Sequence, residues 1–442
     1  MRRFIQRRIN GRGGNQMKTI QLLVAFILLV GSLKAQEKPF TVLIQNAIIH
    51  TEDGIIENGV LGIRGDSIVL VADARTVRID INAYGKIIQA DGKHVYPGFI
   101  ALNSNVGLVE IESVRATLDY AEVGSLNPNV RSLASFNTDS RIIPTLRSNG
   151  ILSVQVSPQS GLISGSSSVF RMNGWNWEDA VRYKDNAMHL NWPWSPIQVN
   201  PADTAGRNSS RYLKQLAQLQ DFFRDAKSYC SQEKPSSVNL KLEAMRPVFT
   251  GKSALFIQAD HARDISDAVN FAVSFGVPRI VIVGGSESAD VISLLKKHNV
   301  AVVLSRIHKL PDCPDRIPQE EFKLPSILTK AGITVALSYN GEMEAMGTRN
   351  LGFIAGTAAA YGLSWVEALN LISLNPAKIL AIDNKEGSIK VGKKASFFIS
   401  SGNALDMIES TVLQVFIDGV ETNINTDQKE LYLKYMEKYG LK

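Results

Sequence analysis

Residues 95–107 read VYPGFIALNSNVG, and this stretch decides how the fold is interpreted. It opens with an apolar run that is typical of a buried strand, and Asn103 and Asn105 follow one residue apart. Side chains at positions i and i+2 of a strand point to the same face, so both amides are aimed at one place. The pattern predicts a site at the end of this strand. An amide offers a metal ion only a neutral oxygen, so the residue types are unusual for a metal site.

From residue 95 onward, apolar runs alternate with segments at helical spacing. The segment ARDISDAVNFAVSFG (262–276) lies between the apolar runs ALFIQA (254–259) and RIVIVGG (279–285), which predicts a βαβ unit. All-apolar strands separated by helices indicate a parallel sheet that is covered on both faces. Seven candidate strands are legible, and an eighth is expected within 175–235. This count favours a (β/α)8 TIM-type barrel over an open doubly wound sheet.

Both ends of the chain have the sequence pattern of short antiparallel strands. Near the start, TVLIQNAIIHTEDGIIENGVLGIRGDSIVLV (41–71) alternates β-rich runs with turn signals, and KEGSIKVGKKASFFIS (385–400) and VLQVFIDGVETN (412–423) do the same near the end. The segment DQKELYLKYMEKYG (427–440) is predicted to be a terminal helix. We predict a small composite β-sandwich built from residues 37–94 and 385–442, with the barrel at 95–384 between its halves.

Residues 1–35 are interpreted as a signal peptide. The segment MKTIQLLVAFILLVGSLKAQ (17–36) has Lys18, a short apolar run and the small residue Ala35 at the expected cleavage point, and the true start is expected at either Met1 or Met17. The run is too short to span a bilayer. These features predict export to the periplasm.

The net positive charge of the chain comes from that leader. The whole sequence has 48 basic and 42 acidic residues, and residues 1–35 contain seven basic and no acidic ones, which leaves 41 basic against 42 acidic. A nearly neutral mature chain gives no support for nucleic-acid binding. Cys230 and Cys313 are the only cysteines, and one disulfide or two free thiols both remain open.

Five blocks in order resemble the amidohydrolase superfamily, in particular its imidazolonepropionase-like and dihydroorotase-like members. They are DGKHVYPGFIALNSN (91–105), QADHARDI (258–265), ALSYN (336–340), WVEALNLISLNPAKIL (365–380) and EGSIKVGKKASFFI (386–399). The resemblance covers nearly all of the mature chain. It implies a hydrolase of non-peptide C–N bonds, in which divalent metal at the barrel mouth lowers the pKa of a bound water to about 7.

The positions that match the family's metal ligands carry other residues. The His-x-His pair corresponds to Asn103 and Asn105, a later histidine to Gln258, the next to Val283-Gly284-Gly285, and the final aspartate to Asn340. We therefore expect no metal at these positions, and zinc would require a non-standard site. The mid-barrel lysine or glutamate ligand of the family is not placed.

The candidate site residues surround the predicted mouth of the barrel. The catalytic candidates are Asn340, Glu342 and Glu344; the substrate-binding candidates are Asn103, Asn105, Gln258, Asp260, His261 and Arg349. Glu342 or Glu344 is a candidate acid–base group in place of the missing aspartate. Acidic residues at a helix start are equally explained by the helix dipole, and His261 also fits a helix start.

Two functions remain open from the sequence. One is an exported hydrolase of amide or cyclic-amide bonds with a degenerate metal site. The other is a non-catalytic pseudoenzyme that binds a ligand or supports an intact paralogue. A small-molecule ligand in the barrel mouth is expected in both cases, without nucleic acid or a membrane span, and a homo-oligomer or a paralogous partner fits either function.

Overall fold

The computed structural model describes residues 41–194, 205–310, 317, 319–341 and 343–441. The predicted signal peptide, Glu342 and Cys313 lie outside these residues, and Cys230 forms no disulfide with any described residue. The described strands are β1 Thr41–His50, β2 Ile55–Arg64, β3 Ser67–Asp73, β4 Lys86–Gln89, β5 His94–Pro97, β6 Phe99–Ser104, β7 Ile151–Val156, β8 Ile163–Arg171, β9 Val181–Asn191, β10 Ala254–Ala259, β11 Ile280–Gly284, β12 Ala301–Leu304, β13 Val335–Leu337, β14 Phe397–Ser400, β15 Val412–Ile417 and β16 Val420–Thr422.

Helices pack between and around these strands. They are α1 Ile142–Arg147, α2 Trp177–Ala180, α3 Ala205–Cys230, α4 Leu240–Glu243, α5 Arg246–Phe249, α6 Ala262–Ser274, α7 Ile292–Lys297, α8 Gln319–Lys330, α9 Glu344–Gly347, α10 Leu351–Ala360, α11 Trp365–Asn370, α12 Leu374–Leu380 and α13 Asp427–Lys438. None of the helices in the described part of the chain combines the length and the hydrophobicity that a bilayer crossing requires.

Strands β6 to β13 form one eight-stranded sheet in chain order. This confirms the predicted TIM-type barrel, and β9 is the strand that was expected within 175–235. Helix α6 joins the parallel strands β10 and β11 and buries Ile265, Ala268 and Val269 at helical spacing. One feature departs from a regular (β/α)8 barrel, because β8 runs antiparallel to both of its neighbours. The link from β7 to β8 is correspondingly short, since an antiparallel neighbour needs no crossover helix.

The barrel closes through an irregular segment. Strands β6 and β13 stand at the two edges of the sheet, and the backbone at residues 371–372 lies between them. The Ile100 amide donates to the Ile372 carbonyl at 2.8 Å, and the Leu337 amide donates to the Leu371 carbonyl at 3.0 Å. These two bonds satisfy edge groups that would otherwise be exposed, so the segment after α11 completes the wall of the barrel.

A second sheet is built from both ends of the described chain. Its order is β16-β15-β14-β5-β1-β2-β3, with β4 paired to β1, and it encloses a separate hydrophobic core. The predicted extra domain is therefore present as one hydrogen-bonded sheet, while its exact boundaries stay a prediction. The helix predicted at the C-terminus is α13.

The apolar run 95–102 is divided between the two sheets. Val95 pairs with Ile399 in the second sheet, whereas Phe99 begins β6 of the barrel. Gly98 stands at the division, and a Cβ there would lie 2.8 Å from Leu152 Cδ1. The run predicted as a single barrel strand is thus two strands, because the chain changes sheets at a glycine that packs directly against β7.

Candidate functional site

A cavity of about 220 Å³ opens at the carboxyl ends of the barrel strands. This is the end at which barrel enzymes place their active sites. Its lining combines side chains from the first, middle and last strands with a loop after β7. The lining residues are Asn103, Pro158, Gln159, Ser164, His189, Leu190, Asn191, Phe256, Gln258, Val283 and Asn340. Three candidates from the sequence, Asn103, Gln258 and Asn340, therefore share one cavity.

Asn103 is held in a buried polar network. Its φ of 50° is left-handed, which Asn tolerates better than most residues. Its backbone amide donates to Gln155 Oε1 at 3.1 Å, and its Oδ1 accepts from Ser157 Oγ at 3.1 Å. Gln155 Nε2 donates in turn to Ser167 Oγ at 3.0 Å. The side-chain oxygen of Asn103 is thus already engaged by the protein.

Gln258 and Asp260 form the opposite side of the mouth. Gln258 Nε2 donates to Asp260 Oδ2 at 3.3 Å, and Asp260 Oδ1 accepts from Ser286 Oγ at 3.3 Å. Lys309 Nζ donates to Ser286 Oγ at 2.8 Å. Asp260 therefore orients Gln258 from outside the cavity lining.

Glu344 is a buried carboxyl behind the lining. Only 4% of its surface is exposed, and burial raises its pKa to about 8 despite hydrogen bonds that lower it. Its two oxygens accept from Gln159 Nε2 at 2.9 and 3.2 Å, and the backbone at Gly341 and Asn105 also bonds to it. Because Gln159 lines the cavity, Glu344 is one hydrogen bond away from the space a ligand would occupy.

His189 is a cavity residue that sequence reasoning missed. It lies on β9 with its ring centroid 5.1 Å from that of Phe256, and burial lowers its pKa to about 3. Its buried Nε2 has no hydrogen-bond partner among the described residues. Gln159, Ser164 and Asn191 were also missed. The one available signal was the HLN triplet (189–191) at the end of a strand, in a region whose pattern was the least legible.

The remaining candidates lie around the cavity and do not line it. Asn105 is buried beside Glu344, with its Oδ1 lacking a partner among the described residues. His261 is the N-cap residue of α6, and its Nδ1 lies 3.4 Å from Glu287 Oε1. Arg349 is exposed on the turn after α9. Glu342 lies outside the described residues.

The donor set does not fit the divalent metal that the superfamily implies. Within the described ranges no three His, Cys, Asp or Glu side chains stand close enough to hold an ion. The lining offers one imidazole among neutral amides, and Asn103 Oδ1 is bonded to Ser157. At the next family position, a Cβ on Gly284 would lie 2.5 Å from Asp260 Oδ1 and 2.6 Å from Gln258 Nε2. The packing leaves no room for a ligand side chain there.

Comparison with known proteins gives one family match within the chain. Residues 257–422 match the model of the amidohydrolase family. The match runs from strand β10 of the barrel to strand β16 of the second sheet. No curated protein sequence matches the chain. The superfamily recognised from the sequence is confirmed, and the matched region contains Gln258 and Asn340 of the cavity.

Solved structures extend the likeness over most of the chain. An amidohydrolase from Thermotoga maritima is 25% identical, with a TM-score of 0.74, and the match covers 86% of this chain and 99% of that one. A zinc-bound adenosine deaminase from Xanthomonas campestris is 15% identical, with a TM-score of 0.52 and coverages of 90% and 98%. A prolidase complexed with N-methylphosphonate-L-proline is 18% identical, with a TM-score of 0.51 and coverages of 87% and 99%. The last two share the fold.

Proposed function

We propose that this chain is an exported member of the amidohydrolase superfamily whose barrel mouth binds a small polar molecule without a catalytic metal. The observation that carries the proposal is the cavity itself. Asn103, Gln258 and Asn340, the positions that the resemblance matches to the family's metal ligands, present neutral amides to it. Amide side chains donate and accept hydrogen bonds, so they suit recognition of a ligand better than activation of water.

A second candidate function is hydrolysis of a non-peptide C–N bond without metal. It is favoured by Glu344, whose pKa of about 8 keeps it protonated at neutral pH beside a cavity residue. A carboxylic acid in that state serves as a general acid. Export is supported by residues 17–36, whose composition is typical of a signal peptide. A partner role beside an intact paralogue is compatible with the binding function.

Elemental analysis combined with an activity assay tests the proposal. The protein is purified from medium with trace metals only, its zinc, iron and manganese are measured, and linear and cyclic amides are assayed for hydrolysis. We expect well below one metal ion per chain and no turnover. Stoichiometric metal would contradict the metal-free site, with or without turnover. Turnover without metal that is lost in Glu344→Gln would instead establish the second candidate function.

A further inference from the structure

The described lining of the mouth cavity contains no charged side chain. Its polar groups are five amides, one serine hydroxyl and one imidazole, and its apolar groups include Phe256 and Val283. The Asp260 carboxylate lies outside the lining, where it accepts hydrogen bonds from the lining residue Gln258 and from Ser286. Burying an ion in such a space is unfavourable, because no opposite charge replaces the hydration that the ion loses.

His189 in the lining and Glu344 behind it are also neutral near pH 7. Burial lowers the pKa of His189 to about 3, so its imidazole carries no charge. Burial raises the pKa of Glu344 to about 8, so its carboxyl stays protonated. Both shifts have the same physical cause, which is the loss of solvent around the charged form. The uncharged lining is therefore backed by a neutral carboxyl on the Glu344 side, and the Asp260 carboxylate on the other side accepts hydrogen bonds from Gln258 and Ser286.

His189 gives this neutral space a specific hydrogen-bonding group. The residue is 6% exposed, lines the cavity, and has a buried Nε2 without a partner among the described residues. Buried polar atoms in native proteins are nearly always satisfied by protein, ordered water or a ligand. An imidazole nitrogen left without a partner beside a cavity lined by amides therefore points to a bound molecule with complementary donors and acceptors.

We infer that the mouth cavity selects a small uncharged molecule with hydrogen-bond donors and acceptors, and that His189 is the residue that recognises it. The inference rests on the proposed binding function and names the class of ligand. The cavity of about 220 Å³ lies below the usual range of roughly 300–1,000 Å³ for drug-sized ligands. The ligand is accordingly small, and carboxylates, ammonium compounds and phosphates are rejected.

Three probes of similar size and different charge test the selection. Propionamide, propionate and propylammonium are each mixed with the protein at pH 7, and binding is followed by ligand-observed saturation-transfer NMR. We expect saturation transfer to propionamide alone. His189→Phe keeps the aromatic contact with Phe256 and removes the hydrogen bond, so it is expected to weaken propionamide binding about fivefold. His189→Gln, which restores a donor and an acceptor, is expected to recover part of the signal.

A charge placed in the cavity is expected to change the preference. Asn340→Asp adds a carboxylate to the lining, so propylammonium should gain saturation transfer while propionamide loses it. Asn384→Asp makes the same chemical change in a surface groove that Lys378 and Lys393 also line, and it is the matched control. We expect the control to behave as the unaltered protein does, with saturation transfer to propionamide alone, and thermal unfolding confirms that each variant is folded.

The possible failures of the two proposals are distinguishable. If propionate or propylammonium binds the unaltered protein as strongly as propionamide, and His189→Phe abolishes that binding, the site exists but the charge selection is wrong. If propionamide binds equally well to the unaltered protein and to His189→Phe, His189 is not the recognising residue. If none of the three probes binds, or Asn340→Asp changes nothing, the binding function proposed for the mouth is itself overturned.

Discussion

Glu344 shows how one buried side chain couples the candidate site to stability. Its pKa is about 8 in the folded chain and about 4.5 when the carboxyl is solvated. The folded state therefore binds more protons than the unfolded state between those values, and the stability contributed by protonation falls as pH rises from 4.5 through 8. His50 and His189 act in the opposite sense, because their lowered pKa values of about 3 remove stability as pH falls below 6.5.

Glu344→Gln is expected to weaken the fall in unfolding free energy as pH rises above 5. The glutamine keeps an acceptor for Gln159 and cannot ionise, so the variant should lose less unfolding free energy than the unaltered protein between pH 5 and 8. The difference is bounded by about 1.4 kcal/mol for each pH unit. Urea unfolding at several pH values measures it, with the exposed Glu178→Gln as the control. Parallel profiles for the two variants would show that Glu344 ionises normally.

Among the single elements, strand β11 ends at Gly284, and the absence of a side chain there makes room for residues that form the mouth. Gly284 has a φ of 94°, and the space beside its Cα is filled by Asp260 and Gln258. A side chain at this position would have to displace the pair that orients the cavity wall. The packing of Asp260 and Gln258 thus explains why this ligand position of the family is a glycine in this protein.

Gly284→Ala is expected to destabilise the chain and disturb the mouth. The left-handed backbone and the contact below 3 Å both oppose the new methyl group, at a combined cost of about 1–3 kcal/mol. Denaturant unfolding measures the loss. Gly392→Ala is the matched control, because its φ of 89° is similar but no atom lies within 4 Å of the new Cβ. Equal losses in both variants would assign the effect to backbone strain alone.

Sequence reasoning at this scale works where the pattern is local. The helical spacing of Ile265 and Ala268 and the apolar runs on both sides of α6 predict the βαβ unit, because periodicity is contained in a short window. The division of 95–102 at Gly98 and the reversed direction of β8 are not visible in that window. Both features depend on which strand lies next to which in the folded chain. The position of Gly98 as a boundary becomes visible only in the structure, where Leu152 packs against it.

Across the whole molecule, a buried ion network joins the barrel to the second sheet. Arg182 on β9 forms ion pairs with Glu386 and with Asp418, the latter at 2.9 Å, and Arg171 on β8 lies 3.3 Å from Asp418. Burial raises the pKa of Glu386, and the nearby Arg182 opposes that shift. Arg182 and Glu386 are enclosed, so each depends on the other for the opposite charge that replaces lost hydration.

Arg182→Met is expected to lower the free energy of unfolding by about 3–5 kcal/mol, since it leaves the buried Glu386 carboxylate without its partner. Arg224→Met is the control, because the Arg224–Asp221 pair is exposed and such pairs contribute about 0–1 kcal/mol. Urea unfolding at pH 7 compares the two variants. A loss for Arg182→Met no larger than the control's would show that the network does not hold the barrel and the second sheet together.

The sequence by itself determined the βαβ unit around α6, the superfamily and the amides at the first barrel strand, because periodicity and ordered motifs are read within short segments. Only the tertiary structure decided that Asn103, Gln258 and Asn340 share a cavity with His189 and exclude charge from its lining. It also placed residues 371–372 in the gap between β6 and β13. These features join residues far apart in the chain, and packing brings such residues together in ways that no local pattern records.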